Sequence, residues 1–166
     1  MLARIVDPIM VAAKAVSCRY MVGLTLNQTL SQWHHDITSA RNATIDGFAL
    51  NIGAGDYFTV DALRGAYDIA AEVGKFSLFL SFDFAADEGW NVSSVSDPVN
   101  SFKNEPAQFR VDGKPLVSTF ESVEFVDGCN QVREKVDGGI HFVPDWSSLE
   151  PEGVGRMVDQ IDRHCM

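Results

Sequence analysis

The chain is short of positive charge. Thirteen Lys and Arg stand against 23 Asp and Glu, a formal net charge of −10 over 166 residues. Nucleic-acid backbones and anionic membranes are bound through basic patches, so neither is expected as a partner; a neutral or cationic ligand fits better. Cysteine is scarce too. Cys18, Cys129 and Cys165 are far apart and lack metal-ligand spacing. One disulfide is possible without its pairing being readable, and buried free thiols are the expected state. No metal or other cofactor is expected. No apolar run reaches the ~18 residues that a membrane span needs. No glycine-rich phosphate loop follows the first apolar run, which takes support away from nucleotide binding. Repeats and low-complexity tracts are absent as well.

What is present is an ordinary globular balance, 46% hydrophobic and 22% charged residues, enough for one domain with a sizeable core. The first residues, "MLARIVDPIMVAAKAVSC", are like a secretion signal only loosely, because Asp7, Pro8 and Lys14 interrupt the apolar part. Residues 1–17 are read as an N-terminal extension and 18–166 as the domain. The triplets at Asn27, Asn42 and Asn91 match the N-glycosylation pattern and favour secretion slightly.

Along the domain the hydrophobic period alternates between two and three to four. Apolar strand-like runs stand at 19–24, 45–53, 76–84, 115–120 and 140–146. Between them, helical spacing is carried by Leu26, Leu30, Trp33, Ile37 and Ala40; by Val60, Leu63, Tyr67 and Ala70, with Gly74 at the end; and by Val126, Cys129, Val132 and Val136. Asp97-Pro98 predicts a helix start that Pro106 limits, and Asp112-Gly113 a tight hairpin before the fourth main strand. Val154, Met157 and Ile161 imply a last helix. Five strand–helix repeats mean a parallel sheet covered by helices, either an open doubly wound sheet or a (β/α) barrel.

Residues two apart in a strand share a face. In "FSLFLSFDF" (76–84), Leu78, Leu80 and Phe82 suit packing on helices, while Ser77, Phe79, Ser81 and Asp83 suit an interior that turns polar toward one end. Ala49 and Asn51 pair off likewise, as do Val117, Thr119 and Glu121, and His141, Val143 and Asp145. Asn51, Asp83, Glu121 and Asp145 thus fall at the C-terminal ends of four strands, where both candidate folds carry their ligand sites. Tyr57 and Trp146 lie close by in sequence. Carboxylates and amides hold hydroxyls and aromatic faces stack on sugar rings, so a sugar is the natural ligand, and paired carboxylates also serve glycoside hydrolysis. Each acid has a plainer reading, as a cap of the next helix or a partner of Arg19, Arg110 or Lys114. His34, His35 and Asp36 are adjacent on a helix, where neighbours diverge, and read as a solvated side. Trp33 reads as core and His141 as structural.

With these residues laid out, the chain resembles glycoside hydrolase family 71, the fungal α-1,3-glucanases or mutanases. The resemblance rests on "YMVG" (20–23), "DITSA…IDGFALNIG" (36–53), "LFLSFDF" (78–84), "DGKPLVSTFES" (112–122) and "HFVPDWSSL" (141–149), in that order. It implies a (β/α)₈ TIM barrel of which only about the first five strand–helix units are here, hydrolysis of α-1,3-glucan with inversion, an extracellular or cell-wall location, and no cofactor. Asp83, Glu121 and Asp145 match carboxylates of the family's motifs and are expected, with Asn51, Trp146 and Tyr57, to bind substrate. Two departures accompany it. "CRYMVGL" has Arg19 and Leu24 where the family usually has histidine and asparagine, and the segment expected to hold the catalytic acid and base lies beyond Met166. The alternative expectation is therefore a non-catalytic glucan-binding or inactive remnant. Open barrel edges are expected to promote self-association.

Overall fold

In a computed structural model, residues 14–85 and 89–157 are described; the expected positions of Ile161, His164 and Cys165 lie outside them. The elements are β1 (Ser17–Met21), α1 (Leu30–Asn42), β2 (Gly47–Ile52), α2 (Thr59–Val73), β3 (Ser77–Asp83), α3 (Val92–Phe102), β4 (Arg110–Val111), β5 (Lys114–Phe120), α4 (Val126–Lys135), β6 (His141–Val143) and α5 (Pro151–Met157). Short 3₁₀ turns at Val22–Leu24 and Val123–Phe125 follow β1 and β5.

The five main strands pair in parallel in the order β1-β2-β3-β5-β6, and β4 is the antiparallel arm of a hairpin on β5. Chain order and spatial order coincide. A doubly wound sheet reverses direction at a switch point, so the open nucleotide-binding architecture is excluded and the order is that of a barrel wall. The hairpin turns at Asp112 and Gly113, with φ of 50° and 79°, the two positive values a two-residue turn of this hand requires.

Two helices start elsewhere than their patterns imply, and local capping explains both. Leu26 is not in α1. Thr29 accepts from the Gln32 amide while the Gln32 side chain accepts from Thr29, and this reciprocal cap begins the helix at Leu30. Leu26 and Leu30 stay largely exposed, while Trp33, Ile37 and Ala40 are buried. α3 starts not at Asp97 but six residues earlier. Asn91 accepts from the amides of Ser93 and Ser94, and Ser94 Oγ accepts from Asn91. Burial of Val95, Val99 and Phe102 along one stripe then outweighs the bond lost at Pro98 inside the helix. α2 ends as expected, at Gly74 with φ of 66°.

The helix side of the sheet is dry. Leu50, Ile52, Leu78, Leu80, Phe82 and Val117 pack on Trp33, Ile37, Leu63, Tyr67, Val95, Val99 and Val132 in one buried cluster. Each such aliphatic or aromatic side chain contributes about 1.5–3 kcal/mol on burial. Gly47 lets β2 lie against β3, since a Cβ there would collide with the carbonyl oxygen of Ser77. The opposite side curls into a concave face. The Arg19 guanidinium of β1 lies 4.0 Å from the centre of the Phe120 ring of β5 and 3.8 Å from Asp145 after β6. Strands three places apart in a flat sheet sit about 14 Å apart, so the wall bends toward this side.

Cys18 and Cys129 are both free thiols; burial pushes Cys129 up to about 12 and also raises Cys18. Among the described residues, no helix is long and apolar enough to cross a membrane. His34 and His35 are exposed, and Asp36 accepts from Tyr20 Oη at 2.6 Å. His141 is buried.

Candidate functional site

Register decides which residues face the concave side. Asn51 is level with Ser81, which is level with Ser118, and Asp83 is level with Phe120. In parallel strands, level partners share a face. The concave face is therefore built from Ala49, Asn51, Phe79, Ser81, Asp83, Leu116, Ser118 and Phe120, as the alternation of the second and third strands implies. For the fourth it is reversed. Val117 is level with Leu80 and belongs to the helix-side core, so Val117, Thr119 and Glu121 do not line the concave side by alternation. Thr119 is buried, its Oγ 2.5 Å from that of Ser122. Glu121 escapes that face because β5 ends at Phe120 and the next residue takes a φ of 53°. A left-handed conformation in glutamate is uncommon and costs energy unless its surroundings hold it.

Those surroundings are the loop after β6. Ser147 Oγ donates to Glu121 Oε1 at 2.6 Å and the Ser148 amide to Oε2 at 3.3 Å. These bonds hold the Glu121 carboxyl below its ordinary value, so it is an acceptor and not a proton donor near neutral pH. The Ser147 amide donates in turn to Asp145 Oδ1 at 2.9 Å, while Asp145 Oδ2 faces Arg19. One serine thus ties together two carboxylates that are 24 positions apart in the chain, and the arginine offsets part of their charge.

Asp83 ends β3, is buried, and accepts from the Ala85 amide at 3.0 Å, so part of its carboxylate shapes its own turn. Its main-chain oxygen accepts from Trp90 Nε1 at 2.7 Å. Asn51 is 2% exposed, and its Nδ2 has no hydrogen-bond partner among the described residues. An orphan amide donor at such a place is costly, and orphan donors of this kind occur where a ligand or water completes them. The two aromatics singled out by position differ from expectation. Trp146 does not offer an open stacking face: its ring is buried, because the turn after Asp145 tucks it inward, and Nε1 has no partner among the described residues. Tyr57 is 86% exposed and packs edge-on to Phe58. It borders a separate groove beside Thr25–Leu30 and Trp33, away from the Glu121–Asp145 pair.

The sequence reading passed over Ser147 and Ser148, which hold Glu121, and Trp90, Phe84 and Phe125, which wall a recess of about 570 Å³ beside it. "DWSS" directly after a strand is the signal for the serines. A tryptophan seven residues after Asp83 was available for the other side. A second cavity of about 320 Å³ lies deeper in the concave face, between Arg19, Phe79, Ser81, Ser118 and Asp145.

Comparison with known proteins bears on what such a site does. The sequence profile of glycosyl hydrolase family 71 matches residues 12–164. A glucan endo-1,3-alpha-glucosidase of Schizosaccharomyces pombe is 37% identical over 162 residues, covering 90% of this chain. A mutanase of Penicillium rubens is 32% identical over 132 residues, covering 80%. The match takes in 37% of the first relative's length and 29% of the second's, so this chain spans about a third of each. Among solved structures, a GH99 endo-alpha-mannosidase from Bacteroides thetaiotaomicron superposes with a TM-score of 0.63 at 16% identity, covering 85% of this chain and 42% of that one. That likeness concerns the fold alone.

Proposed function

From the premise that this chain belongs to glycosyl hydrolase family 71, we propose that it serves the hydrolysis of α-1,3-glucosidic bonds in a cell-wall glucan, outside the cell or in the wall, with its strand ends holding the sugar. The observation that carries this reading is the Ser147-tied pair, Glu121 and Asp145, at the strands' C-terminal rim beside Asp83. Three carboxylates and the Asn51 amide, which has no partner among the described residues, offer acceptors and a donor to sugar hydroxyls, and the carboxylates outnumber the Arg19 guanidinium, a balance that does not favour an acidic polysaccharide. Glu121 is held ionised, so it suits a hydroxyl acceptor or a base, and the proton for the leaving oxygen comes from another group. In an inverting reaction that acid would stand ~6.5–9.5 Å from the base. The test is reducing sugar released from α-1,3-glucan, by this chain and by a version extended with the rest of the family's barrel. The longer polypeptide is expected to release it. No product from either sinks the hydrolytic reading.

A second reading is a non-catalytic glucan binder. It rests on Arg19, which lies over Phe120, faces Asp145 and so crosses the concave face that a substrate would enter. Affinity for the glucan without product, in the longer polypeptide, selects it.

β1 and β6 each pair on one side only among the described strands. Such edges recruit further strands. We propose accordingly that the chain by itself self-associates, and a sharp monomer boundary in sedimentation velocity would count against this.

A further inference from the structure

We infer that the recess beside Glu121 is a subsite for one neutral pyranose ring, stacked against Trp90 and Phe125. The inference rests on the sugar-binding part of the reading above and not on hydrolysis. The recess, about 570 Å³, is lined by Phe84, Trp90, Glu121, Glu124, Phe125 and Ser148 among others. Its aromatic wall is set before any ligand arrives. Trp90 is fixed by its bond to the main-chain oxygen of Asp83 and stands edge-on to the core residue Phe82, ring centres 5.1 Å apart. Phe84 lies 5.9 Å from Trp90 and 4.8 Å from Phe125. Phe125 is seated on Gly128, where any Cβ would collide with the ring. All three aromatics are half-buried, anchored on one side and open on the other. Aromatic surface that is rigid in advance costs little entropy to use, which favours a flat apolar sugar face.

The polar side of the recess selects the ring's chemistry. Glu121 is held ionised by Ser147 and Ser148, and Glu124 is exposed at the rim. Glu121 accepts hydrogen bonds and does not donate, and Glu124 adds a second acidic side chain, so hydroxyls are welcome and carboxylated or sulfated sugars are disfavoured. The bond from Trp90 to Asp83 links this wall to the end of β3, so a ring here continues the row of strand-end groups.

Tryptophan fluorescence gives a local readout. Of the three tryptophans, Trp33 and Trp146 are buried and Trp90 alone borders the recess. Titrating the chain with an α-1,3-linked glucotriose is expected to shift its emission, and Trp90→Ala to weaken calorimetric affinity about tenfold, the loss of one good stack. Glu124→Lys, a change at an exposed rim position that leaves the core untouched, is expected to weaken affinity to a similar degree by filling the recess. Unchanged parental emission at millimolar trisaccharide overturns the subsite, as does parental affinity in both variants. Binding with these losses, but no reducing sugar from the extended polypeptide, leaves the subsite standing and removes only the hydrolytic reading.

Discussion

The two faces of one sheet, built from alternate residues of the same strands, have opposite characters. On the helix side, Leu50, Leu80, Phe82 and Val117 are packed dry against α1, α2 and α3. On the concave side, their immediate neighbours Asn51, Ser81, Asp83 and Ser118 are polar, and Ser81 and Ser118 line an open cavity. The helix side supplies folding energy, which grows with apolar area removed from water. The concave side gives that energy up, down to an amide donor on Asn51 that has no partner among the described residues. Sites that must exchange water for ligand hydroxyls carry this kind of local deficit. A barrel-type wall can afford such a face because helices cover the other.

The sharpest way to break this comparison is to substitute adjacent residues that point to opposite sides. Leu80→Ala removes a side chain that is 2% exposed and is expected to cost about 2–5 kcal/mol of unfolding free energy. Ser81→Ala, one residue on, is expected to cost about 1 kcal/mol or less. Urea unfolding of both variants measures the contrast; equal losses would mean that the concave face is packed as structurally as the other. A smaller effect sharpens the account of the rim. Ser147→Ala removes the chief bond that lowers Glu121, so the Glu121 carboxyl is expected to titrate higher, toward the ordinary range, in a carbon-detected NMR titration. The sign follows from linkage. A carboxyl depressed in the folded state adds stability above its unfolded pKa and loses it as pH falls through the folded value, so the variant should lose less on acidification. An unmoved Glu121 would remove the serine from the argument.

The strand–helix alternation and most of the boundaries were legible because burial imposes a period on the chain. "FSLFLSFDF" separates into a leucine face and a serine face by counting in twos, and β3 keeps both faces. The starts of α1 and α3 were misread because reciprocal caps at Thr29 and Asn91 prevail over the apolar spacing and over Asp97-Pro98. Alternation failed for Glu121 because one positive φ after Phe120 redirects the side chain. Trp146 was misjudged for a related reason: adjacency to Asp145 says nothing about which way a turn carries the next ring.

The sequence by itself determined that strands and helices alternate, that the sheet is parallel, and that acids gather at the strands' C-terminal ends. Those properties are periodic and local, written in residue order. Only the tertiary structure decided that β1, β2, β3, β5 and β6 lie in barrel order, that Ser147 ties Glu121 to Asp145, and that Arg19 crosses to Phe120. These depend on which segments far apart in the chain come to lie together, and that follows from the shape into which the sheet curls once its helix side is buried.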